Sequence, residues 1–119
     1  GSIGSTGSTT SYNTSSDYRL KENIVPVVGG ITRLQQLKPI RFNFILDPDT
    51  EVDGFLAHEA AAVVPECVTG AKDAVDSDGN PIYQGIDHSK LVPLLTAALQ
   101  EAVAEITALK TRVAALELN

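Results

Sequence analysis

At 119 residues with a formal net charge of −6, the chain has room for one small compact domain, and its 9 Lys and Arg are too dispersed to track phosphates, so nucleic acid is not an expected partner. Its single cysteine, Cys67, rules out an internal disulfide framework; flanked by Pro65, Glu66 and Val68, with no cation to stabilise a thiolate, it reads as a small buried hydrophobe. No stretch reads as the roughly 18 apolar residues of a membrane span, and no basic segment leads into an apolar core, so neither a membrane nor an export signal is expected.

The first 16 residues read GSIGSTGSTTSYNTSS, in which 13 are Gly, Ser or Thr and none is charged. Such a segment buries too little apolar surface to order itself, and residues 1–15 are expected to be a linker or the end of an upstream segment, with Gly1 and Ser2 a tag remnant. Charge enters abruptly at Asp17, followed by the apolar run Ile24-Val25-Pro26-Val27-Val28, which Pro26 keeps extended. After Gly29 and Gly30, the spacing of Ile31, Leu34 and Leu37 predicts a short helix that ends at Pro39.

From Arg41 the pattern alternates. Phe42, Phe44 and Leu46 share one face, which predicts a half-buried strand closed by Asp47 and Pro48. The turn-rich DPDTEVDG should then lead to an extended Phe55-Leu56, and HEAAAVV to a short helix closed by Pro65. A strand is expected to start at Cys67 and Val68. The stretch from Asp73 to Pro81, with Asp78-Gly79 inside it, reads as a loop or hairpin turn before a strand-like Ile82, Tyr83 and Ile86. Asp87 or Ser89 can cap a final helix with Pro93 in its first turn, where a missing N–H costs little. The fold class is therefore α+β: a small mixed body over 16–88 and a long C-terminal helix over 89–119.

That helix carries a heptad repeat. Val92, Leu95, Leu99, Ala102, Ile106, Leu109, Val113 and Leu116 step alternately by three and four, which keeps one stripe facing a partner. With Ile106 and Val113 at a and Leu109 and Leu116 at d, Glu105 and Arg112 fall at g, and Lys110 and Glu117 at e. In a parallel coiled coil each g meets the e five residues later in its neighbour, so Glu105 faces Lys110 and Arg112 faces Glu117, both pairs opposite in charge. A monomeric helix needs no such pairing. β-branched residues at a with leucine at d favour two strands, while Leu99 at a and the small Ala102 at d weaken that preference.

Few residues are grouped for chemistry. Ser16 and Lys21 stand five apart where the polar leader ends; a serine hydroxyl becomes a nucleophile when a base takes its proton, and a lysine amine serves once burial or nearby cations lower its pKa from about 10.4. On spacing alone the signal is weak, and the reading it favours is a serine capping a turn beside a solvated lysine. His58 and Glu59 follow a packed apolar segment, but no further ligands stand at metal-site spacing and HExxH is absent. Asp76, Asp78 and Asn80 resemble a calcium loop only loosely, since Gly79 is misplaced and no glutamate follows at the twelfth position. Neither a metal nor another cofactor is expected.

Three blocks, Ser16–Ile24 (SDYRLKENI), Gly54–Val68 (GFLAHEAAAVVPECV) and Ile86–Glu117, stand in an order that resembles the C-terminal intramolecular chaperone domain of bacteriophage tailspikes, tail fibres and neck appendages, the endosialidase type. The resemblance implies a homotrimer that assists folding of the upstream fibre or tailspike of the same polypeptide and then releases itself by autoproteolysis. It implies a serine-lysine dyad at Ser16 and Lys21, a scissile bond between Ser15 and Ser16, and a place of action in the host-cell cytoplasm during phage assembly. By the same analogy His58 and Glu59 are expected near the dyad. Arg19 is expected either beside Lys21 or in an ion pair with Glu22 or Glu59. One departure is His88, where the pattern leads one to expect an aromatic residue. The competing readings are a permanent, non-enzymatic oligomerisation or receptor-binding tip, and an autoproteolytic domain of a membrane-bound transcription factor, which the absence of an expected span disfavours.

Overall fold

In the computed structural model, the described residues are 15–118 together with the backbone of Ser5–Thr6 and Thr9–Thr10. Those two short segments, β1 and β2, pair antiparallel; the rest of the leader, and with it most of the 1–15 linker, lies outside the described residues. The fold is α+β: short strands and helices followed by one long C-terminal helix.

After a 3₁₀ turn at Tyr18–Leu20, the chain bends at Asn23, which takes φ 55°, and reaches Gly29, which takes φ 67° and so enters α1 (Gly30–Leu34) through a left-handed residue. Strand β3 (Ile40–Phe42) pairs antiparallel with β4 (Val52–Gly54), placing Ile40 opposite Gly54 and Phe42 opposite Val52. The expected strand is thus cut short. Asp47 N–H donates to the Phe44 carbonyl in a turn, so Phe44 and Leu46 leave the ladder and Leu46 is 98% exposed. The partner strand of β3 lies at 52–54, and Leu56 is extended as expected, as the residue before helix α2 (Ala57–Ala61).

A 3₁₀ turn at Pro65–Cys67 leads into β5 (Val68–Thr69), which pairs with β6 (Gly85–Ile86). Between them Asp76 Oδ1 accepts the backbone N–H groups of Asp78 and Asn80, and Gly79 takes φ 81°. This tight turn occupies the segment with the loose calcium-loop pattern. Asp87 then caps a 3₁₀ turn, His88–Leu91, by accepting from Ser89, and α3 runs from Val92 to Glu117 with Pro93 in its first turn. His88 lies against Phe55, ring centroids 6.1 Å apart, so it fills the expected aromatic position by ring contact.

The core is small: Leu37, Ala60, Val63, Val64, Cys67, Leu91 and Leu94, with Leu34, Phe55, Val68 and Ile86 packed around them. The long helix and the turn before it contribute Leu91, Leu94 and Ala98, and beyond Ala102 the helix residues are exposed. The heptad stripe is a different face, rotated by roughly 80° from the packed one. Val92, Leu95, Leu99, Ile106, Leu109, Val113 and Leu116 are all exposed, from 44% for Leu95 to 71% for Leu116. The helix therefore lies on its own domain and still presents an unpartnered apolar stripe.

His88–Glu117 is also long and apolar enough, by length and composition alone, to cross a membrane, contrary to the expectation that no segment qualifies. Alanines raise its mean hydropathy, while Glu101, Glu105, Lys110, Arg112 and Glu117 recur along it, a pattern suited to a helix that is apolar on one side.

Candidate functional site

Ser16 and Lys21 meet because the chain between them folds back on itself. Asp17, in extended conformation, accepts from the Arg19 backbone N–H, and the 3₁₀ turn closes with Leu20 N–H to the Asp17 carbonyl and Lys21 N–H to the Tyr18 carbonyl. Lys21 then returns to extended geometry, and its Nζ donates to Ser16 Oγ at 2.6 Å. Both residues are exposed in the single chain.

Arg19 is committed elsewhere. Its Nε and a terminal amine grip both oxygens of Asp17, at 2.9 and 3.0 Å, so it pairs neither with Lys21 as a neighbouring cation nor with Glu22 or Glu59. This fork-to-fork contact holds the Asp17 carboxyl below the usual carboxylate range, and the carboxylate in turn raises the Arg19 guanidinium. Its role is to brace the turn that brings Ser16 to Lys21.

A cleft of ≈ 600 Å³ opens at this corner. Ser15, Ser16 and Lys21 line it together with Arg33, Glu66, Ser89 and Lys90, and Val27, Val64, Pro93 and Leu94 complete it. The structure thus joins the Ser15–Ser16 peptide bond to the root of α3. His58 and Glu59 are not among the lining residues. Glu59 faces Lys38, 3.4 Å away, and His58 is exposed at the start of α2. The expected place for them beside the dyad is not seen in the cleft lining, and Glu59 is engaged by Lys38 instead.

Arg33, Glu66, Ser89 and Lys90 had no signal in the sequence as site residues. They are charged or polar positions scattered over more than 50 residues of chain, and only the packing of α1 and α3 gathers them. Among the described residues no group of three or more His, Cys, Asp or Glu could hold a metal ion. Cys67 is buried with its thiol pKa pushed up, mainly by burial, as suits an inert core residue.

Residues 16–69 match the model of a peptidase family described as chaperone of endosialidase. Over those 54 of its 119 residues the chain is similar to the endosialidase-type chaperone domain. The match begins at Ser16, the residue bonded to Lys21, and takes in both the SDYRLKENI and GFLAHEAAAVVPECV blocks. The matched family is a peptidase-related one, and the match ends before the heptad helix. No curated protein matches the chain.

Proposed function

We propose that this chaperone domain assembles as a parallel homotrimer through α3, holds the end of a phage fibre or tailspike in register while it folds, and then cuts itself free between Ser15 and Ser16. The observation that carries the reading is the 2.6 Å contact of Lys21 Nζ with Ser16 Oγ, at the residue where the family match begins. With the amine uncharged, the same contact lets the hydroxyl donate to Nζ. Ser16 Oγ attacks the Ser15 carbonyl carbon as its proton passes to Lys21, giving a tetrahedral oxyanion. The C–N bond then breaks, the proton moves from Lys21 to the Ser16 nitrogen, and an ester joins Ser15 to Ser16 Oγ. Water hydrolyses the ester, leaving a Ser15 carboxylate and restoring the hydroxyl.

The exposure of the pair in one chain supports a requirement for assembly. Burial favours an uncharged amine, and neighbouring copies docked along the exposed stripe would bury this corner. Fibres with long-range strand pairings fold slowly and expose strand edges, so early register from a helix with local contacts is useful to them. Cleavage after assembly makes the folded state hard to reverse. The test is a denaturing gel of wild type, Ser16→Ala and Lys21→Ala, with sedimentation of each. The wild type should be cut and both variants whole, all three sedimenting as trimers; a wild-type trimer that stays whole supports the permanent oligomerisation tip instead.

A further inference from the structure

We propose that Lys90 is the electrophilic donor of the self-cleavage, its ammonium stabilising the oxyanion that forms on the Ser15 carbonyl; the inference rests on the cleavage proposed above. When Ser16 Oγ bonds to the Ser15 carbonyl carbon, an electron pair moves onto the carbonyl oxygen, and a donor aimed at that developing charge is commonly the largest single source of rate. The cleft that holds Ser15 and Ser16 contains three cations, Lys21, Arg33 and Lys90. Lys21 is engaged with Ser16 Oγ, and an Arg33 terminal amine donates to the Val63 carbonyl at 2.9 Å. Ser89 is engaged too, since its hydroxyl and its backbone N–H both donate to Asp87 Oδ1.

Among the described residues the Lys90 ammonium makes no hydrogen bond and no ion pair, and it acts on Asp87 only through space. It is the one cation of the cleft that has no hydrogen-bond or ion-pair partner among the described residues. Its position is also tied to the packing of α3 on the body, because it sits in the 3₁₀ turn at the root of α3, next to Leu91, which is 2% exposed. Seating the helix on the body therefore sets the place of Lys90 relative to the Ser15–Ser16 bond. Glu66 lines the same cleft and brings a negative charge to its wall.

The test is the first-order cleavage rate of the full chain, read by intact mass, for wild type, Ser16→Ala, Lys90→Met and Lys90→Arg, with circular dichroism and sedimentation of each. Lys90→Met keeps the aliphatic stem and should slow cleavage by about 100-fold without changing fold or assembly, while Lys90→Arg should recover most of the rate. Lys90→Met cutting at the wild-type rate overturns the role of Lys90 and leaves Ser16 and Lys21 in place. Equal loss in Lys90→Met and Lys90→Arg also overturns it, in favour of a packing role. A wild type as uncut as Ser16→Ala overturns both the cleavage and the inference.

Discussion

Gly30→Ala should destabilise the domain, although the substitution puts the best helix former into a helix. A Cβ on Gly30 would meet the backbone of α3, at 2.7 Å from Ala98 N, 2.9 Å from Ala98 Cα and 3.0 Å from the Ala97 carbonyl carbon. None of these atoms belongs to a flexible side chain, so α1 must lift away from α3 as a unit. Overpacking of this kind costs about 1–3 kcal/mol, set against a gain of at most about 1 kcal/mol in helix propensity. The net expectation is a loss of up to about 2 kcal/mol, or a fall in Tm of about 4–8 °C per kcal/mol for a body of this size. Lifting α1 also lengthens the bond from Ile31 N–H to Glu101 Oε2, now 3.2 Å, and moves Arg33 at the cleft. The assay is thermal and urea unfolding in the Ser16→Ala background at fixed protein concentration, since assembly shifts apparent stability. Gly29→Ala is the comparison: nothing lies within 4 Å of its added Cβ, so only the strain of φ +67° acts, about 1–2 kcal/mol. A Gly30→Ala protein as stable as the parent would refute the close packing of α1 on α3.

Glu105→Lys should weaken self-association by setting the new ammonium against that of Lys110 in the neighbouring copy, and Glu105→Lys with Lys110→Glu should restore it; sedimentation across a salt series checks this, because the effect shrinks as salt screens it. Cys67 should resist a thiol reagent in the native protein and react fully in denaturant, since it is 1% exposed and burial raises its pKa. The Asp87 carboxyl is held below its ordinary value of 3.8, chiefly by its hydrogen bonds from Ser89. Its depressed folded pKa means that the cap's contribution is complete above the unfolded value and is lost as pH falls through the folded one. An NMR titration of Asp87 should show the low midpoint, and Ser89→Ala should raise it.

What was legible in the sequence is what local patterns encode. The three-four spacing from Val92 to Leu116 marks the stripe that the body leaves uncovered, whereas the pairing of Ser16 with Lys21 was legible only through the family resemblance, the Asp17 cap and turn that bring them together going unread. The alternation of Phe42, Phe44 and Leu46 misled, because strand length is set by the partner: β4 offers three residues to pair with, and the chain turns at Phe44. Arg19 looked like a companion of Lys21, yet the nearer carboxylate of Asp17 captures it. The cleft was not visible at all, since Arg33, Glu66 and Lys90 carry no mutual spacing and are gathered only by tertiary packing.

The most direct measurement of Ser16–Lys21 chemistry is the intact mass, with N-terminal sequencing, of the C-terminal piece left after the wild-type chain has assembled. A fragment beginning at Ser16, absent from Lys21→Ala under the same conditions, is the expected result. A fragment with any other first residue, or an assembled chain that keeps its full 12.6 kDa, contradicts it.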